Sequence, residues 1–191
     1  METVAKTSPR SLNPKKFALW IGIVSMSMSF AALTSAYIVK QGEGNWLIFD
    51  LPSVFFVSTA IILLSSATMH WAVISAKNDN LPQLKAAIVL TALLGLSFAA
   101  SQFNGWNALY ENQIFFAGSK SNPAGSFVYV LTFLHIVHLA GGIVVLLIAL
   151  WRSFTFKIHS KNMNAIQLTA TYWHFVDVLW VYLFFFLLLN R

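Results

Sequence analysis

The chain has 191 residues, of which 58% are hydrophobic and only 9% charged, far below the quarter or so of charged residues usual in soluble domains. It contains no cysteine, which excludes disulfides, thiolate zinc sites, iron–sulfur clusters and covalently attached c-type haem. The net charge of +6 does not point to nucleic acid, because the basic residues never gather into a stripe interleaved with exposed aromatic rings.

Five apolar segments reach the roughly 20 residues needed to cross a bilayer as a helix: 17–39, 52–76, 86–109, 125–151 and 166–189. The first follows the basic stretch "KTSPRSLNPKK". It is longer than the apolar core of a secretory signal and has no clear small-residue cleavage site, so it reads as a retained span. The breaks carry turn and loop chemistry in "KQGEGN", "KNDNLPQ", "GSKSNPAGS" and "RSFTFKIHSKNMN". None of them is large enough for a separate domain. The expectation is an all-α membrane protein with a basic tail over 1–16 and one five-helix bundle over 17–191.

Alternating sides along the five spans puts Lys6, Arg10, Lys15, Lys16, Lys77, Lys85, Arg152, Lys157 and Lys161 with the N-terminus, and Lys40, Lys120 and Arg191 opposite. This bias predicts a cytoplasmic N-terminus and a periplasmic C-terminus. A four-span alternative, with one segment lying in the interface, would spoil the alternation. No internal repeat suggests an inverted-repeat transporter, and five spans do not divide into equal halves.

Polar groups inside the spans are few and arranged. Thr132, His135 and His138 follow one another at i, i+3 in the fourth span, and Thr171, His174 and Asp177 do so in the fifth. An Asp at the centre of a span costs roughly 3 kcal/mol on insertion scales, so it calls for a partner or a task. One reading is a metal or haem site, since imidazole is the commonest ligand. The other is a buried polar network of His135, His138, His174 and Asp177, with Asp177 accepting from an imidazole, an indole or a hydroxyl. Only His70 adds a strong ligand from another span, and no Glu-x-x-His motif is present, so the ligand count favours the network and predicts no metal in this chain.

Gly141 and Gly142 allow close helix approach, as do the serine faces Ser25, Ser27, Ser29 and Ser58, Ser65, Ser66. Trp173 and Trp180, among seven tryptophans, are interfacial or packing residues. Gln102 and Asn104 are buried amides or lie at the outer boundary. Arg152 is either an ordinary inside charge or a clamp for a lipid phosphate.

"YWHFVDVLW", Tyr172 to Trp180, resembles the C-terminal signature of subunit III of the haem–copper oxidases, which reads Tyr-Trp-His-Phe-Val-Asp-Val-x-Trp in the cytochrome c oxidases. "GSFVYVLTFLHIVHLAGGI", Gly125 to Ile143, is similar to that family's run with paired histidines, which fall here on His135 and His138. "LPSVFFVSTAIILLSSATMHWA" and "KKFALWIGIVSMSMSFAALTSAYIV" resemble the two helices before it. The likeness covers nearly the whole chain, as the five-helix bacterial form without the first two helices of seven-helix relatives.

The resemblance implies a non-catalytic chain in a bacterial inner membrane. It would pack on the catalytic subunit I beside other oxidase subunits, bind phospholipid, and support proton uptake and resistance to turnover inactivation. It would hold no cofactor itself, with haem and copper in the partner subunits. Arg152 falls where the family places an arginine associated with lipid headgroups. Two positions depart from the pattern: Met26 follows Ser25 where relatives carry Glu or Asp, and Gln167 stands where many carry Glu. A quinol oxidase or nitric oxide reductase component, and a free-standing haem protein using His135, His138 and His174, are the competing expectations.

Overall fold

The computed structural model describes residues 14–155 and 162–190. They form five helices: α1 (Pro14–Gly42), α2 (Val54–Lys77), α3 (Leu81–Glu111), α4 (Pro123–Phe154) and α5 (Asn164–Leu189). Each overlaps an expected span; α1, α3, α4 and α5 extend theirs, α1 by three residues at its start, while α2 begins two residues later than expected and ends one later. The shortest, α2, has 24 residues, about 36 Å at 1.5 Å per residue, which exceeds the hydrocarbon core of about 30 Å. All five are long and apolar enough to cross a membrane. Most of the basic tail, residues 1–13, lies outside the described residues, as do Lys157, Lys161 and Arg191.

Local sequence starts and stops these helices in recognisable ways. Asn80 caps α3 by accepting from the Gln83 amide at 3.2 Å, and Pro82 occupies the first turn, where a missing N–H costs nothing. Asn122 caps α4 by accepting from the Ala124 amide at 3.0 Å, with Pro123 next in line. The same Asn122 also holds the α1–α2 loop. Its amide donates to the Asn45 carbonyl at 2.9 Å, and its oxygen accepts from the Leu47 amide at 3.1 Å. Between α2 and α3 the chain turns within Asn78–Asn80, where Asp79 takes a left-handed φ of 52°.

Helices α2, α3, α4 and α5 close into a ring in which each packs on the next, while α1 lies outside and touches only α4 and α5. The burial pattern follows from this. On α1 only Ile23, Phe30, Thr34 and Tyr37 are buried, one narrow stripe, whereas α5 buries eleven of its 26 residues. The outward faces carry many exposed large apolar side chains, including Trp20, Ile48, Leu64, Phe103 and Val178. Water would not tolerate such a surface, but lipid or another apolar protein face would.

Candidate functional site

The tightest part of the molecule is organised by Trp173. Its indole lies across the ring, between Gly95 of α3 and Gly142 of α4. A methyl group at Gly95 would stand 2.8 Å from Cη2 of Trp173, and one at Gly142 would stand 3.2 Å from Cε3. The indole nitrogen donates to Ser65 Oγ of α2 at 2.9 Å. One side chain therefore touches the other three helices of the ring, which requires glycine at two of the contacts. Trp173 and Trp180 are both fully buried. Gly141 faces outward, and a methyl there would meet only the Tyr172 hydroxyl, at an ordinary 3.5 Å. Close approach thus belongs to Gly142 and to Gly95, which spacing alone did not single out.

Around Trp173 runs a polar seam between the antiparallel helices α2 and α5. Trp180 Nε1 donates to Thr59 Oγ1 at 3.0 Å, and Ser66 Oγ lies 2.7 Å from His174 Nδ1. Asp177 sits on this seam near the middle of α5, with 2% of its surface exposed. Its nearer carboxylate oxygen is 4.0 Å from His174 Nδ1, too far for a hydrogen bond. Ser66 stands beside the carboxyl group as well, yet neither oxygen has a partner within hydrogen-bond distance among the described residues. Asp177 is buried, with the Ser66 hydroxyl and the His174 imidazole as its polar neighbours.

The histidines of α4 do not join this seam. His135 is completely buried, packed between Phe98 of α3 and Trp180 of α5 at ring centroid distances of 5.7 and 5.1 Å. Neither of its nitrogens has a partner among the described residues. His138 turns toward α1, its ring edge-on to Phe30 and its Nδ1 2.7 Å from the carbonyl of Leu134. The α4–α5 contact near it is made by Tyr172, whose hydroxyl donates to the His138 carbonyl at 2.9 Å. The expected single network is therefore two separate arrangements. Three residues advance a helix by about 300°, so His135 and His138 point some 60° apart, enough to aim one at the ring interior and the other at α1. Among the described residues no three histidines or acids gather as metal ligands.

Gln102 is buried and donates to Ser58 Oγ at 2.9 Å, tying α3 to α2, while Asn104 is exposed. Arg152 lies half-buried in the last turn of α4, at the end of the bundle that also carries Lys77 and Lys85, and no carboxylate among the described residues pairs with it. Met26 is half-buried on α1 and Gln167 is exposed near the start of α5.

At the same end as Arg152, α1 stands apart from α2 and leaves a cleft of about 390 Å³, bounded by α1, α2 and α5. Its polar lining comes from Lys16, His70, Gln167, Thr171 and His174, with Trp20 as the largest ring. No feature of the hydropathy profile marks this cleft, because it depends on which helices are neighbours. Its trace in the sequence is the i, i+3 pair Thr171 and His174, both of which line it.

The family profile for cytochrome c oxidase subunit III matches residues 47–190, from the α1–α2 loop through the end of α5. This chain belongs to the subunit III family of the cytochrome c and quinol oxidases. It is 28% identical to cytochrome c oxidase subunit 3 of Thermostichus vulcanus, over 87% of this chain and 82% of that one. To cytochrome bo(3) ubiquinol oxidase subunit 3 of Buchnera aphidicola it is 29% identical, over 93% of this chain and 95% of the relative. The cytochrome c oxidase subunit 3 of Synechocystis is 30% identical, over 89% of this chain and 73% of its own. Subunit III chains are non-catalytic components of a larger oxidase complex, and this one is the family's five-helix bacterial form.

Proposed function

We propose that this chain is the subunit III of a bacterial haem–copper terminal oxidase that accepts electrons from cytochrome c, with one transmembrane domain over 17–191 behind a basic tail. Membership of the family over residues 47–190, with the Tyr172–Trp180 signature in place, carries the reading. The exposed apolar flanks of the bundle supply the surface that packs on the catalytic subunit I, where the haem and copper reside, and beside other oxidase subunits. Extraction in mild detergent tests it: the chain should leave the membrane with a partner containing a haem–copper oxygen site. Recovery with a partner containing haem and non-haem iron would instead make it part of a nitric oxide reductase.

The likeness to ubiquinol oxidase subunits, one of which aligns over 95% of its length, supports a second reading with quinol as donor. Oxygen consumption by the purified complex, measured with reduced cytochrome c and then with a quinol, separates the two. The excess of lysine and arginine at the N-terminal end of the bundle supports an N-terminus on the cytoplasmic side of the inner membrane. Because the chain has no cysteine, single cysteines placed at Gln83 and Lys120 should react with an impermeant thiol reagent from opposite faces.

Arg152 is the residue proposed to hold an anionic phospholipid headgroup, since a guanidinium pairs bidentately with phosphate at interfacial depth. Arg152→Ala should lower the phospholipid retained by the purified complex and hasten its inactivation during turnover. Unchanged lipid content and lifetime would leave Arg152 as an orienting charge only.

A further inference from the structure

The Asp177 carboxyl group combines two properties: it is sealed from solvent, and the hydroxyl beside it, Ser66, stands outside close hydrogen-bond distance and is engaged with His174 instead. A carboxylate with only a structural duty in a bilayer would be expected to find donors. The residue beside it, His174, is different. Its side chain is 35% exposed and lines the cleft between α1, α2 and α5. His174 therefore stands between an open cavity and a closed acid, with Nδ1 2.7 Å from Ser66 Oγ and 4.0 Å from Asp177 Oδ2.

We propose that Asp177 is a proton-binding site loaded and unloaded from this cleft, with His174 as the carrier and the Ser66 hydroxyl beside it. In loading, the imidazole takes a proton from a hydronium ion in the cleft, which is left as water, forming an N–H bond at Nε2 while it releases a proton from Nδ1. The released proton reaches Oδ2 of Asp177 through the Ser66 hydroxyl or a single water across the 4.0 Å gap. An N–H bond breaks, an O–H bond forms, the carboxylate becomes a neutral acid, and the ring is left as its other neutral tautomer. Unloading is the reverse. The site is a dead end, so it stores one proton and passes none onward through this chain.

The groups that bear on it come from each element packed against α5. On α2 they are Ser66 and, one turn nearer the cleft mouth, His70. On α1 it is Lys16, which lines the cleft. On α4 it is His135, whose ring lies against Trp180 and whose nitrogens are unpartnered among the described residues.

The chain has only three aspartates, Asp50, Asp79 and Asp177, and the first two are exposed in loops. Labelling aspartate with carbon-13 therefore makes the Asp177 carboxyl separable in the infrared spectrum of the full chain in lipid nanodiscs, with Asp50→Asn and Asp79→Asn assigning the other two bands. After a jump in bulk pH across the range from about 4 to about 10, the Asp177 band should change between acid and carboxylate forms. His174→Phe should slow that change by about 10²-fold or more, the scale of a removed proton carrier, and Ser66→Ala should slow it as well. Helicity and elution volume verify that each variant is folded, and if one does not fold the other decides. A wild-type Asp177 band that never follows bulk pH would overturn the proposal, as would one that follows it equally fast in the folded His174 or Ser66 variant.

Discussion

Helix α5 has two flanks that are held in different ways. Toward α2 the contacts run along much of the helix: Trp173 on Ser65, His174 on Ser66 and Trp180 on Thr59. Toward α1 the bonds gather at one end only, where Tyr182 meets Thr34 at 2.9 Å and Tyr37 donates to the Asn190 carbonyl at 2.9 Å. The other end of that flank is the cleft. Helices in lipid gain little from apolar burial alone, so packing of close backbones and interhelical hydrogen bonds decide where they adhere. The α2 flank has both along its length; the α1 flank has them for half of it.

The difference is broken most severely at Trp173. Trp173→Ala removes a fully buried side chain that touches the other three helices of the ring and should cost about 3–5 kcal/mol, read as a lower midpoint when the purified chain is titrated with a denaturing detergent. Gly95→Ala should follow, at about 1–3 kcal/mol, because the new methyl would overlap an indole held in place by Ser65. Gly141→Ala, whose methyl meets nothing closer than 3.5 Å, is the matched control and should leave the midpoint unchanged. If Gly95→Ala and Gly141→Ala behave alike, the indole is not confined as described.

Thr59→Val leaves the buried Trp180 indole without its acceptor and should cost about 1 kcal/mol, above the mean of about 0.6 but within the range for an interhelical hydrogen bond in a membrane. The smallest effect is expected on the α1 flank. Tyr182→Phe should change the global midpoint by no more than about 0.6 kcal/mol, yet it should raise the spacing between α1 and α5 measured by paired spin labels near Thr34. A global loss as large as that of Thr59→Val would mean that α1 is as integral to the bundle as α2.

The five spans were legible because the bilayer imposes a length, and the breaks between them because turn chemistry is local; the caps that Asn80 and Asn122 make there were not singled out by it. The serine face of α2 was legible as a contact face, and Ser65 and Ser66 do make contacts. What spacing could not convey was the neighbour. Nothing in the hydropathy of α1 distinguishes it from α2, yet one lies outside the ring and the other within it. For the same reason the rows of polar residues on α4 and α5 read as one network. They separate because His135 and His138 aim at different partners, Trp180 and Phe30. Gly95 carries no local sign either, since its role depends on an indole 78 positions away.

The placement of α1 has a consequence for biogenesis. It is made before α2, but among the described residues the helices it touches are α4 and α5, which are made after α2 and α3. The α2–α3 pair, joined by the Asn78–Asn80 turn, can enter the membrane as a finished hairpin, whereas α1 must wait in lipid until α4 and α5 arrive. A nascent chain arrested after α3 would therefore hold a paired hairpin and a solitary helix, and α1 would find its seat only once α4 and α5 have been made.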